Sequence, residues 1–146
     1  MEIREAGNQD LRQLLELYTQ LHNNKMPGFD EELENIWSDI ISDRNHHVLV
    51  GFNNEQMISS CVIVIIPNLT HKQRPYALIE NVITHVEYRN KGCATQLLNY
   101  ARDLAKREHC YKIMLLTGSK KESTLHFYEG AGFNRNDKTA FIQWLE

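Results

Sequence analysis

Arg89-Asn90-Lys91-Gly92-Cys93-Ala94 is the stretch of this 146-residue chain whose residue types and order point most directly to chemistry. It falls between a run of strand formers, Tyr76 to Thr84, and a run of helical periodicity from about Gly92 to His109, with a loop over Val86 to Lys91. A helix start leaves several backbone N–H groups unpaired. It also carries about half a unit of positive charge, which suits it to phosphate. Gly92 lets the backbone approach an oxygen closely, and small Ala94 keeps the turn tight. Arg89 and Lys91 add charge-assisted donors. These residues predict a cradle for a diphosphate. The pattern Q/R-x-x-G-x-G/A alone is weak, because glycine makes up about 7% of ordinary sequences. The competing reading is a cationic surface loop, and the position between strand and helix decides against it.

The elements around that loop follow from periodicity. Ile3 to Ala6 reads as a short strand. Asn8 is placed to cap a helix with Leu11, Leu14, Leu15, Tyr18 and Leu21 on its apolar face, and Pro27-Gly28 interrupts it. A second helix puts Leu33, Ile36, Trp37 and Ile40 on one side. His47 to Phe52 and Met57 to Ile66 read as strands joined at Asn53-Asn54, followed by a loop from Pro67 to Pro75. Ala94, Leu97, Leu98, Ala101, Leu104 and Ala105 mark the buried face of the long helix. Tyr111 to Leu116 is the next strand, so strand, helix and strand form a βαβ unit with a parallel pair. Ser119-x-x-Glu122 has the capping-box pattern and opens a last helix through Leu125, Phe127, Tyr128 and Ala131, stopped by Gly130 and Gly132. Thr139 to Leu145 reads as a closing strand. The fold class is α/β, with a mixed, mostly antiparallel sheet and one parallel βαβ unit, in a single domain over residues 1–146.

Bulk properties remove several function classes. The net charge is −3, so no basic surplus argues for nucleic acid. The longest aliphatic run, Val62 to Ile66, is too short to cross a bilayer, and the acidic Met1 to Glu5 lacks a signal-peptide core. Cys61, Cys93 and Cys110 are odd in number and lack C-x-x-C spacing, which fits reduced thiols in a cytoplasm and no metal site. Neither G-x-x-x-x-G-K-[ST] nor G-x-G-x-x-G occurs, which disfavours other kinds of nucleotide-binding module.

Arg89 to Ala94 resembles the acetyl-CoA pyrophosphate loop of the GNAT superfamily of N-acetyltransferases. The likeness continues upstream in Glu80-Asn81-Val82-Ile83-Thr84 and downstream in His126-Phe127-Tyr128-Glu129-Gly130-Ala131-Gly132-Phe133, similar to the family's F-Y-x-x-x-G-F segment. Ile79 to Thr84 and Cys110-Tyr111-Lys112-Ile113 are similar to glucosamine-phosphate N-acetyltransferases. Two departures stand out. Cys93 and Ala94 replace the commoner large aliphatic residue and glycine, and Lys121 stands where many relatives have a cofactor-contacting asparagine. The resemblance implies acetyl-CoA as co-substrate, held by Val82, Ile83 and Thr84 and by Arg89, Asn90, Lys91, Gly92, Cys93, Ala94 and Thr95. It further implies a bulge in the Tyr76–Thr84 strand, which would free the Val82 and Ile83 amides to face a thioester and open a gap beside the Tyr111 strand for the pantetheine arm.

Acetyl transfer to a primary amine sets three tasks: deprotonating the amine, polarising the carbonyl and protonating the departing thiolate. Glu80 is the candidate base, a carboxylate in an otherwise apolar or small-residue strand; the alternative is a rim glutamate paired to a cation, and His85 is a weaker second base. Tyr128 is the candidate acid by its position in the motif; the alternative is an aromatic packed beside Phe127. A covalent acetyl-cysteine is disfavoured, because Cys93 at the helix start would meet pyrophosphate. The family pattern puts the acceptor near the first two helices, where Asp30, Glu31, Glu32, Glu34, Asp39 and Asp43 form either an acidic rim for a cationic amine or a solvated helix face. The cationic loop His71-Lys72-Gln73-Arg74 leaves room for an acceptor that also carries phosphate or carboxylate. The expected partner is a small-molecule or peptide amine, with no nucleic acid or membrane and with a homodimer left open. The alternatives are a non-enzymatic acyl-CoA sensor of the same fold and an amino-sugar phosphate N-acetyltransferase specifically.

Overall fold

Met57–Ile65 carries no charge and ends in four consecutive Val and Ile residues, the pattern of a strand covered on both faces. The computed structural model, which describes residues 1–146, places that run at the centre of a five-stranded sheet ordered β1-β2-β3-β4-β5. The elements are β1 (Glu2–Glu5), α1 (Leu11–Tyr18), α2 (Glu31–Ser42), β2 (His46–Asn53), β3 (Gln56–Ile66), β4 (Tyr76–Thr84), α3 (Cys93–Arg107), β5 (Ile113–Leu115) and α4 (Glu122–Gly130). Neighbouring strands are antiparallel except β4 and β5, which run parallel with α3 as their crossover. This is the mixed sheet and βαβ unit expected from the sequence.

The two faces of the sheet hold separate apolar clusters. On one, Ile63, Ile65, Ala77 and Ile79 pack with Leu97, Leu98, Ala101, Leu104 and Ala105 of α3. On the other, Val48, Val50, Val62 and Ile83 pack with Leu14 and Leu17 of α1 and Trp37 of α2.

Several local expectations are corrected. Asn8 does not cap α1; it lies inside a short 3-10 turn, Asn8–Asp10, that precedes the helix. Leu17, not Leu15, shares the buried side of α1 with Leu14. In α2 Trp37 is buried, whereas Ile36 is 51% exposed and Ile41 packs instead. Lys121 occupies the N-cap position of α4; Ser119 lies before it in the chain, where its hydroxyl accepts from Lys121 N and reaches Thr124 Oγ1. Thr139 to Leu145 forms no strand. A strand exists only by pairing, and no neighbouring strand of this chain lies beside it.

The turn before α1 contains a testable ion pair. Asp10, 4% exposed, accepts two bonds from Arg4, at 2.6 and 3.0 Å, and one from Gly7 N at 2.7 Å. Burial acts to raise its pKa, but the Arg4 and Gly7 bonds outweigh it and hold the carboxyl below the ordinary 3.8. The charged form is therefore the stabilised one, fully present above that ordinary value and lost as pH falls through the lower folded one. Asp10→Asn should cost about 1–3 kcal/mol at neutral pH. Urea unfolding of both proteins should show the gap narrowing as pH drops below 3.8.

Candidate functional site

The site begins with an irregularity in β4. Ser60 pairs with Ile83 and Val62 with Glu80, so Asn81 and Val82 together face Cys61. That is a bulge, and Asn81 adopts a positive φ of 51°, which Asn tolerates better than most residues. The extra residue reverses the alternation. Ala77 and Ile79 before the bulge are buried on the α3 side, whereas Ile83 after it is buried against α1 and α2. Val82 packs on the α3 side. Ser59 fixes the strand beyond the bulge, its hydroxyl donating to Ile83 O at 2.9 Å.

Pairing between β4 and β5 covers only Ala77–Ile79 against Ile113–Leu115. From Glu80 onward no strand lies on that side of β4, so the sheet opens into the splay that the family resemblance implied. Below the opening, a short 3-10 turn, Val86–Tyr88, leads to α3.

Gly92 is the N-cap of α3, with φ 80° and ψ 5°, a left-handed conformation that favours glycine. A β-carbon there would meet nothing within 4 Å, so the approach to the helix start is open. Gln96 N is the first to close an intrahelical bond, at 3.0 Å to Gly92 O. The amides of Cys93, Ala94 and Thr95 therefore stand at the start of a 15-residue helix without helical acceptors. A cleft of about 470 Å³ lies in front of them, lined by Thr84, Arg89, Asn90, Gly92, Cys93, Ala94 and Thr95. Tyr88 and Phe127 complete the lining; sequence reasoning did not select either for this role, although Phe127 stood in the motif.

Two predicted members of the cradle, Lys91 and Cys93, are constrained locally. Lys91 donates to Glu87 O at 2.9 Å and lies over the Tyr88 ring at 5.2 Å, so its ammonium braces the loop. Cys93 is 6% exposed, so it borders the cleft with little of its surface. Arg89 donates from Nε to Thr84 O at 3.2 Å, tying the loop to the end of β4.

Glu80 is exposed, and no cation lies within ion-pair distance of its carboxylate. The reading of a rim glutamate held by a cation is therefore not what the structure contains. His85 is committed elsewhere, its Nδ1 accepting from Glu87 N at 3.3 Å.

Tyr128 sits on α4 with its ring against Phe127 at 5.0 Å and edge-on to Phe133 at 6.3 Å. It packs on the α3-side cluster, which also contains Cys61, the residue opposite the bulge. Burial first, and the nearby Cys61 second, raise the Tyr128 pKa above that of an ordinary phenol. Its hydroxyl is accordingly protonated at neutral pH and available as a proton donor.

On the other face, Tyr18 is the residue that periodicity placed only as an apolar position. Burial pushes its hydroxyl up to about 12, with the neighbouring Ser60 and Asn81 side chains acting in the opposite direction. The end of α1 thus lies beside the bulge. The signal available in the sequence was Asn81 itself, a polar residue inside an apolar strand. Of the six acidic residues in and beside α2, two make local bonds. Asp30 caps the helix by accepting from Leu33 N at 2.9 Å, and Asp43 accepts from Asn45 N at 2.8 Å.

Comparison with known proteins agrees with this geometry. The family model described as "Acetyltransferase (GNAT) family" matches residues 8–133. The chain is similar to a putative acetyltransferase from Agrobacterium tumefaciens str. C58, with 33% identity and a TM-score of 0.91 over 99% of this chain and 100% of that one. It shares its fold with glucosamine-6-phosphate N-acetyltransferase from Arabidopsis thaliana, with 21% identity and a TM-score of 0.86 over 99% of this chain and 98% of that one. It is also 28% identical to the glucosamine 6-phosphate N-acetyltransferase of Trypanosoma brucei brucei over 83 residues, 57% of this chain and 54% of that protein. Matches to curated relatives span between 27% and 54% of those relatives' own lengths.

Proposed function

Because this chain belongs to the GNAT acetyltransferase family, we propose that residues 1–146 form one N-acetyltransferase domain that moves acetyl from acetyl-CoA to a primary amine by direct attack in a ternary complex. The single observation that carries the reading is the junction of the β4 bulge with the open α3 N-terminus below it. The two features suit the two ends of an acyl-CoA. The amides of Cys93, Ala94 and Thr95, with Arg89 and Asn90 beside them, fit the diphosphate. The splay between β4 and β5 gives the pantetheine arm a path toward the bulge, where the Val82 and Ile83 amides are the candidate donors to the thioester carbonyl.

The acceptor must give up a proton, since a lysine-like amine has a pKa of about 10.4 and on the order of one molecule in a thousand is neutral at pH 7. Glu80, unpaired and exposed at the bulge, takes that proton directly or through water. Tyr128 donates one to the departing thiolate. Bond formation between amine nitrogen and acetyl carbon, and cleavage of the carbon–sulfur bond, leave an amide and a free thiol. Free Cys61, Cys93 and Cys110 suit a reducing compartment such as the cytoplasm.

The experiment is acetyl-CoA turnover against a panel of primary amines that includes amino-sugar phosphates, polyamines and peptide N-termini. Tight acetyl-CoA binding with no turnover on any of them would favour the sensor reading instead. Glu80→Gln keeps the shape and removes the base. With an accepted amine, its rate at neutral pH should fall about a hundredfold or more, and it should recover as the pH approaches the pKa of the amine. A pH–rate profile identical to the parent's leaves Glu80 no part in proton removal.

A further inference from the structure

Regular structure does not hold the loop that precedes α3. No backbone amide from Arg89 to Gly92 donates a hydrogen bond to a backbone carbonyl. Asn90 and Gly92 both have positive φ, 60° and 80°. A loop without ladder or helical bonds moves readily. Motion at a binding surface lowers affinity, because binding must then order the surface. Whatever fixes the place of this loop must therefore come from side chains.

Those side chains converge on the Val86–Tyr88 turn. Tyr88 is half-buried at its end. The Tyr88 hydroxyl accepts from Asn53 Nδ2 at 3.2 Å and donates to Gln56 Oε1 at 3.3 Å. Asn53 and Gln56 are the pair that flanks the β2–β3 turn, so one hydroxyl bridges both sides of that hairpin. The Tyr88 ring lines the cleft and lies beneath the Lys91 ammonium at 5.2 Å, within cation–π reach. At the other end of the turn, Val86 N donates to Gln20 Oε1 at 2.9 Å, just past α1. The hairpin is anchored to the same helix. Gln13 of α1 donates to Glu55 O at 3.2 Å and accepts from Met57 N at 2.8 Å. Hairpin and turn are thus both fastened at α1, and Tyr88 joins them to each other. Asn53 and Gln56 do not line the cleft; they reach it only through Tyr88.

We propose that Tyr88 is a positioning residue for the cradle: its hydroxyl, held by Asn53 and Gln56, fixes the loop before α3 against the β2–β3 hairpin and so raises affinity for the diphosphate end of the cofactor. The proposal rests on the reading of the cleft as an acetyl-CoA site. It adds that the hairpin, remote from the cofactor, contributes to holding it. A single hydroxyl that both accepts and donates has one allowed orientation, which makes the tether directional. Its removal leaves the ring in the cleft wall and releases only the loop.

The test compares the parent with Tyr88→Phe, with the double variant Asn53→Ala, Gln56→Ala, and with the triple combination. Acetyl-CoA affinity is read by calorimetry, and hydrogen exchange is followed without ligand. Asn53 and Gln56 are exposed, so the double variant keeps the fold, and exchange in α3 checks this. Tyr88→Phe and the double variant should each weaken acetyl-CoA about threefold to tenfold, the usual worth of a hydrogen bond. Both remove the same bonds, so the triple variant should lose no more than either. Without ligand, the amides of Val86 and Tyr88 should exchange several-fold faster in all three, with α3 unchanged. With an accepted amine, the double variant should raise KM for acetyl-CoA and leave kcat within about twofold. Parental affinity in the variants, beside a parent that binds, would overturn the positioning role and leave the cofactor reading intact. Additive losses in the triple variant would overturn it by showing that the hairpin acts by another route. A parent that does not bind acetyl-CoA would overturn both readings.

Discussion

Gly92→Asp should weaken acetyl-CoA binding by about a hundredfold or more while the protein stays folded, the largest binding effect expected of a single substitution here. Two causes act together. Gly92 has φ 80°, and a side chain in that conformation costs about 1–2 kcal/mol. The carboxylate then projects into the space where a β-carbon now meets nothing within 4 Å. That space is in front of the Cys93, Ala94 and Thr95 amides, so the new carboxylate would take the bonds proposed for a phosphate and repel it. Two unit charges about 4 Å apart near a protein surface repel by about 4 kcal/mol. A hundredfold loss requires about 2.8 kcal/mol, which leaves margin for screening and relaxation. Gly92→Ala separates the causes: it keeps the backbone strain and adds no charge, so its loss should be several-fold at most. Calorimetric titration with acetyl-CoA, beside melting curves of both variants, reads the result. A folded Gly92→Asp protein with parental affinity would remove the helix start from the cofactor site.

What the sequence made legible follows the range of the interactions involved. The cradle at Arg89–Thr95 and the crossover α3 were readable because a glycine at a helix start and a 3.6-residue periodicity are local facts. The bulge was not. It exists as a mismatch of register between β4 and β3, with Asn81 and Val82 opposite Cys61, and pairing is invisible in either strand alone; only the family resemblance pointed to it. Lys91 shows the same limit at the scale of side chains. Residue type marked Lys91 as an anion donor, but not that its ammonium bonds Glu87 O and lies over the Tyr88 ring. Ser119 failed as a cap because the pattern S-x-x-E fixes a spacing and not the residue at which the helix begins. The strand pattern of Thr139–Leu145 describes a preference that nothing within the chain fulfils.

Tyr128→Phe should lower kcat by about a hundredfold with little change in acetyl-CoA affinity or in melting temperature. The substitution keeps the ring, and the ring is what Phe127 and Phe133 touch, so the packing of α4 on the sheet is preserved. Only the hydroxyl is lost. If that hydroxyl protonates the leaving thiolate, its interaction exists chiefly in the transition state, and removing it lowers kcat and kcat/KM together. If Tyr128 is only a packing residue, the same change leaves kcat within about twofold, well short of the usual worth of general-acid catalysis. The raised pKa of Tyr128 adds a second readout. The acid must be protonated to act, so the parent's activity should persist on the alkaline side beyond the range of an ordinary phenol and then fall. The Phe variant should lack that alkaline fall. Single-turnover kinetics belong with the steady-state measurements, because slow product release can hide a loss in the chemical step. A single-turnover rate within about twofold of the parent's, with the alkaline limb intact, would return Tyr128 to the core and leave the proton to solvent.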